Sequence, residues 1–236
     1  MSDYIRGDAS ELIKFFTSYN LNGIFNKEYF ADNFKTVHKK VFGYLVLFCE
    51  IEHQNIENSL FSEQSLFYLK ESVSDILQSL FSWVNGAYKS ADLLLRSSIE
   101  NFNKCIIGNT RVEVFTEKSV FKIFEMAEEL PEFQVKVLKN SFSETLHRLY
   151  AELCKSTHTA TCADMEHITA LSLLPKFDKE QSNEYKKCVV TLIDCYLGFF
   201  LVNKKKEIID KMYRIHLDTF YDVLPQNLIK DIVNKN

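Results

Sequence analysis

Glycine and proline are scarce. Six Gly and three Pro in 236 residues make roughly 4% of the chain, against an average near 12%. Sandwiches and barrels of short strands need turn residues at every hairpin, so this shortage excludes them. It also excludes collagen-like and low-complexity chains. Neither GxGxxG nor GxxxxGK[ST] occurs, so no glycine-rich loop is available to cradle a phosphate. A run of 18 apolar residues is missing too. The best candidate, Cys188–Val202, is 15 residues long and carries Asp194, which reads as a buried core helix rather than a membrane span. The polar, acidic start of the chain is unlike a signal or transit peptide. CxxC is absent, and the six cysteines (49, 105, 154, 162, 188 and 195) stand mostly in apolar stretches. Without an export signal they read as reduced thiols of a cytoplasmic protein. An excess of positive charge is lacking as well: 28 Lys+Arg face 32 Asp+Glu, a net charge of −4. That argues against bulk binding of duplex DNA and leaves room for a small RNA site.

What the chain does contain is helical periodicity. A weak first helix is expected over 3–19, then a loop from Asn20 to Lys27 with Gly23. Apolar spacings of three and four run from Phe30 to about Glu52 through Phe34, Val37, Val41, Tyr44, Leu45 and Phe48. Ser62 opens a helix to about Trp83 in the manner of a capping box. Ala87 to Ile107 is the clearest helix, with Leu95, Ile99, Phe102 and Ile106 on its apolar stripe. Its small residues, among them Ala91 and Ser98, allow a neighbour to approach closely. Gly108 with Asn109 ends it. A short helix is expected over 117–129. Pro131 opens a longer one through Val135, Leu138, Phe142, Leu146, Leu149 and Leu153. After the break at 156–161, Thr161 with Asp164 caps a short helix to Leu174. Residues 180–203 are long and apolar, 205–222 continue amphipathically, and Pro225 opens a last helix. The expectation is an all-α protein: a single helical bundle of about eight helices. Within it, residues 1–60 form an N-terminal helical subdomain on a bundle over 62–222.

Three constellations could carry chemistry. Asp92, Arg96 and Glu100 are spaced i, i+4, i+8 on the clearest helix, and Glu144, Arg148 and Glu152 repeat the pattern. Each row is open to two readings. One is a solvated ladder of ion pairs worth a few tenths of a kcal/mol apiece. The other is an arginine held by carboxylates in a cleft and able to grip a phosphate. His158 stands at a helix break among Ser156, Thr157, Thr159 and Thr161. It is either a general base or a hydrogen-bond donor to a phosphate, or an imidazole that merely bonds the loop or caps the helix. Cys154, His158, Cys162 and His167 carry zinc-ligand chemistry, yet the β-branched residues between them break a common helix face and no CxxC or HExxH supports them. The expectation is therefore no metal. His38, His53 and His216 read as ordinary helix-face residues.

Two segments carry a family resemblance. Ala87–Phe102, with Leu94-Leu95-Arg96 and Glu100, and Leu149–Ala160, with Leu149-Tyr150, Leu153 and His158, resemble the two signature helices of HEPN-superfamily proteins. The likeness covers about residues 60–205. It implies an all-α homodimer that acts on RNA without metal or cofactor, as an endoribonuclease of phage defence or a toxin–antitoxin pair. The superfamily also contains inactive modules that bind RNA or a partner protein. The close Arg…His spacing of the active members is missing, since nine residues separate Arg148 from His158. The implied site is therefore composite. His158 is its general base or acid, Arg96 its phosphate clamp oriented by Glu100, and Arg148 and Ser156 bind substrate. RNA supplies its own 2′-hydroxyl nucleophile, so an imidazole and a guanidinium suffice in principle.

Overall fold

A computed structural model describes residues 10–11, 14–27, 29–137, 139–157, 165 and 167–233. The protein is an all-α bundle. Among the described residues, 10–11 and 14–18 are helical, and the helices that follow are α1 (Asn22–Phe25), α2 (Phe30–Asn58), α3 (Glu63–Val84), α4 (Tyr88–Gly108), α5 (Val120–Glu128), α6 (Pro131–Gln134), α7 (Phe142–Thr157), α8 (Lys179–Asn203), α9 (Arg214–Val223) and α10 (Gln226–Val233). Two dipeptide strands, β1 (Lys136–Val137) and β2 (Asn140–Ser141), pair antiparallel ahead of α7.

The long helices start and stop where their side chains dictate. Ser62 caps α3 by accepting the Ser65 N–H at 3.1 Å, as its position before the apolar run requires. Asp178 caps α8 by accepting from Glu180 and Gln181. The α3–α4 connection turns at Gly86, whose φ of +75° suits glycine. A Cβ there would lie 1.9 Å from the Lys176 carbonyl oxygen. Gly108 has a different reason. It is the last residue of α4 and its missing side chain leaves room for the Phe115 ring.

The core forms where α2, α3, α4 and α8 meet. Leu47, Ile51, Leu69, Ile99, Phe102, Ile193 and Leu197 are buried there. At its centre the small residues of α3 and α4 form hydroxyl contacts. Ser72 Oγ lies 2.8 Å from Ser98 Oγ, Tyr44 hydroxyl 3.2 Å from Ser72, and Tyr196 hydroxyl 3.2 Å from Ser98. Burial raises the pKa of both tyrosines, which keeps their hydroxyls protonated and able to donate.

Four expectations need correction. Asn20–Lys27 contains the single-turn helix α1, which buries Ile24. The helix expected to run on from Pro131 stops after Gln134, and the chain makes the β1–β2 hairpin before α7. The reason is a capping box: Glu144 N–H donates to Ser141 Oγ at 3.1 Å, and Ser141 N–H donates to the Glu144 carboxylate at 2.7 Å. The helix expected to reach Leu174 is not there over 167–170, which precede a 3₁₀ turn at Leu171–Leu173. Its cap, Thr161 with Asp164, lies outside the described residues, as do residues 3–9 and 12–13 of the first expected helix. Finally, 205–222 is not one helix. The chain breaks after Asn203, makes a 3₁₀ turn at Ile209–Lys211 and restarts at Arg214. The adjacent Ile208 and Ile209 are both buried, and the Ile208 carbonyl accepts from Gln54 Nε2 at 3.2 Å, which anchors the break to α2.

Candidate functional site

Helices α4 and α7, which carry the two segments of the family resemblance, pack directly against each other. The core stripe of α7 is Phe142, Leu146, Leu149 and Leu153, all buried. Residues 148 and 150 flank that stripe on opposite sides, about 100° to each side of Leu149 at the helical period. Tyr150 takes the flank toward α4, where its ring also meets Phe124 of α5 edge-on at 5.3 Å.

The Tyr150 hydroxyl joins the first polar row. It accepts from Arg96 Nε at 2.7 Å and donates to Glu100 Oε1 at 2.8 Å. Arg96 Nε lies 3.5 Å from the same carboxylate oxygen, and the two side chains are only 20% and 28% exposed. The guanidinium carbon stands 5.0 Å from the centre of the Tyr150 ring. Burial alone would lower the Arg96 pKa, but Tyr150, Cys154 and Glu100 outweigh it and raise it. Burial raises the Tyr150 pKa, and the Glu100 carboxylate raises it further against the pull of Arg96. The site thus holds a guanidinium, the Glu100 carboxylate that balances it, and a phenol that stays protonated at neutral pH and donates its proton to that carboxylate. A guanidinium held at its Nε keeps N–H donors with which an anion can be bound. The row is thus a half-sheltered pair of Arg96 and Glu100 bridged by Tyr150 rather than a fully solvated ladder.

The second row is different. Arg148 Nη1 donates to Glu152 Oε1 at 3.0 Å with both side chains about half exposed. Glu144 is spent on capping α7. Arg148 sits on the α8 flank and lines a cavity with Thr145, Thr191 and Cys195. Arg96 and Arg148 therefore serve separate surroundings. The Asp92 charge bears on Tyr185 and Cys188 of α8. Burial and the Asp92 and Glu152 charges push the Cys188 thiol up to about 12, which leaves it a poor nucleophile at neutral pH.

His158 lies outside the described residues. Ser156 falls in the last turn of α7, with its side chain outside what is described. In the possible zinc set, Cys162 is also outside, and among the described residues no group of three or more His, Cys, Asp or Glu is placed to hold a metal ion. No helix among the described residues is long and apolar enough to cross a membrane.

Two features escape the sequence reading. Tyr150 is the first; its position beside the stripe is legible, but its contact with Arg96 and Glu100 is not. The second is a carboxylate–imidazole pair away from α4. Glu50 is 2% exposed, and its Oε1 lies 2.5 Å from His216 Nδ1 and accepts the Tyr213 N–H at 3.2 Å. The Tyr213 hydroxyl meets His53 Nε2 at 3.0 Å. Glu50 stands one residue before Ile51 and three after Leu47, so a carboxylate on the buried side of α2 was the available signal. Compared with known proteins, the chain matches no family model, no curated protein and no solved structure.

Proposed function

We propose that this chain is a HEPN-like protein of the cytoplasm that acts on RNA as a metal-independent endoribonuclease, in phage defence or a toxin–antitoxin pair, and works as a homodimer. One observation carries the reading. The two helices that bear the family resemblance are in contact, and Arg96 of one is bonded to Tyr150 of the other, two turns before His158 in sequence. In this mechanism the Arg96 guanidinium, fixed by Tyr150 and Glu100, grips the scissile phosphate and offsets the charge of the phosphorane. His158 takes the proton from the RNA 2′-hydroxyl, which attacks the adjacent phosphorus. The bond from phosphorus to the 5′-oxygen breaks, that oxygen takes a proton from water, and the products are a 2′,3′-cyclic phosphate and a 5′-hydroxyl. Ser156 and Arg148 are assigned to binding flanking RNA, with Arg148 reached only around α7. The purified protein is incubated with mixed RNA in EDTA and the ends are analysed. The expected result is cyclic-phosphate ends from the wild type and a loss of at least about 100-fold in His158→Ala and Arg96→Met. Equal cleavage by wild type and variants would remove the site.

A second reading, an inactive module that binds a partner protein, has its own support. Phe67, Leu77 and Phe81 of α3 are 62%, 42% and 67% exposed and share one side of the helix by their spacing. Exposed apolar side chains on one helix side, here interrupted by Lys70 and Ser74, are a feature of protein-binding surfaces. No RNA cleavage under any condition favours this reading. A 27.6 kDa particle in light scattering at micromolar concentration counts against the homodimer.

A further inference from the structure

The cavity on the other flank of α7 has a chemistry of its own. It encloses about 530 Å³ between the β1–β2 hairpin, α7, α8 and the start of α10, within the range of pockets that bury a small organic molecule. Its floor is apolar: Phe142, Leu228 and the Cys195 thiol are each less than 10% exposed and line it, with Val137 and Pro225 beside them. Burial and the neighbouring Asp194 raise the Cys195 pKa, so the thiol is neutral and adds to the apolar surface.

The charges on its wall are unevenly balanced. Asp194 lines the cavity, but Lys40 reaches it at 2.6 Å and also donates to the Val223 carbonyl. Arg148 is tied to Glu152 at 3.0 Å. Both pairs are neutral as units, and Lys139 of the hairpin leaves the lining with one net positive charge. The Arg148 fork keeps bonding capacity beyond one carboxylate oxygen, because a guanidinium carries five N–H donors. An apolar floor beneath one lysine and one arginine complements a molecule with an apolar body and a single anionic head.

We propose that this cavity binds a small amphiphilic organic anion, its carboxylate or phosphate head on Lys139 and Arg148 and its hydrocarbon or aromatic body on Phe142 and Leu228. The cavity shares Arg148 with the proposed RNA-binding surface but not Arg96, and its test reads binding of the small probes alone. The probes for titration calorimetry with the full chain are decanoate, decyl phosphate, decanol and inorganic phosphate. Decanoate or decyl phosphate is expected to bind with a Kd below about 1 mM, and decanol and inorganic phosphate at least about tenfold more weakly. Binding of decanoate alone assigns a carboxylate ligand, and of decyl phosphate alone a phosphate ester. Lys139→Met, on an exposed turn residue that leaves the core intact, is expected to weaken the anion at least about fivefold without strengthening or weakening decanol, and Arg148→Met to do the same. Failure of both anions to bind, decanol binding as tightly as decanoate, or unchanged anion affinity in both variants would each overturn the proposal.

Discussion

One hydroxyl group holds the Arg96 centre together. The Tyr150 hydroxyl is at once acceptor for Arg96 and donor to Glu100, so its removal leaves a cation and a carboxylate, both mostly sheltered, with one partner fewer each. Tyr150→Phe keeps the ring against Phe124 and deletes only that bridge. It is expected to lower stability in urea unfolding by about 1–2 kcal/mol, the usual cost of stranding a part-buried polar group. In a double-mutant cycle with Arg96→Met the two losses are expected to be non-additive by more than about 0.5 kcal/mol, since they delete the same bond. Additive losses would mean that the bridge does not exist in solution. The i, i+4 spacing of Arg96 and Glu100 exposed their pairing to a reader of the sequence. Tyr150 was hidden because the flank of α7 that faces α4 is decided by tertiary packing, which spacing within α7 does not encode. The same holds for the two arginine rows. They look alike in sequence, but one is sheltered by α5 and α7 while the other opens onto the α8 cavity.

At the scale of the element, local chemistry overrode periodicity. The apolar spacing from Val135 through Leu153 reads as one helix from Pro131 onward, yet Val135 is extended, with ψ of 120°, and the helix begins only at Phe142. Ser141 and Glu144 were in plain view as a capping box, and a start signal inside an apolar-periodic stretch should have divided it. Ser141→Ala removes the acceptor for the Glu144 N–H and is expected to cost about 1 kcal/mol by thermal or urea unfolding. Ser143 is the control. Its buried hydroxyl has no hydrogen-bond partner among the described residues, so Ser143→Ala is expected to be neutral or stabilising. Equal losses in the two variants would deny the cap. Elsewhere the long helices were legible because their boundaries carry caps at Ser62 and Asp178 and their stripes are unbroken. The break after Asn203 was not legible. It depends on a carbonyl bonded by Gln54, 154 positions away.

At the scale of the whole molecule, the question is whether residues 1–60 are an accessory or part of the core. The sequence shows α2 as a helix with one apolar stripe. The structure buries much more of it: Gly43, Val46, Leu47, Glu50, Ile51 and Gln54 are all covered. Helices α8 and α9 do the covering. The Tyr44 ring packs 5.3 Å from Tyr196 of α8, Gly43 admits Val223 of α9 against its backbone, and Glu50 bonds His216 of α9. Two consequences follow if α2 is lost. Tyr196 loses the ring beside it. Asp194, largely buried on α8, loses Lys40 and becomes a sheltered carboxylate without its cation, a state costing about 3–5 kcal/mol in comparable buried pairs. Domains of this size are stable by only about 5–15 kcal/mol in total. A fragment of residues 62–236, which keeps α9 and α10, is therefore expected to lack a cooperative unfolding transition by calorimetry. A fragment that melts cooperatively near the temperature of the full chain would show that α2 is an addition to a bundle complete without it.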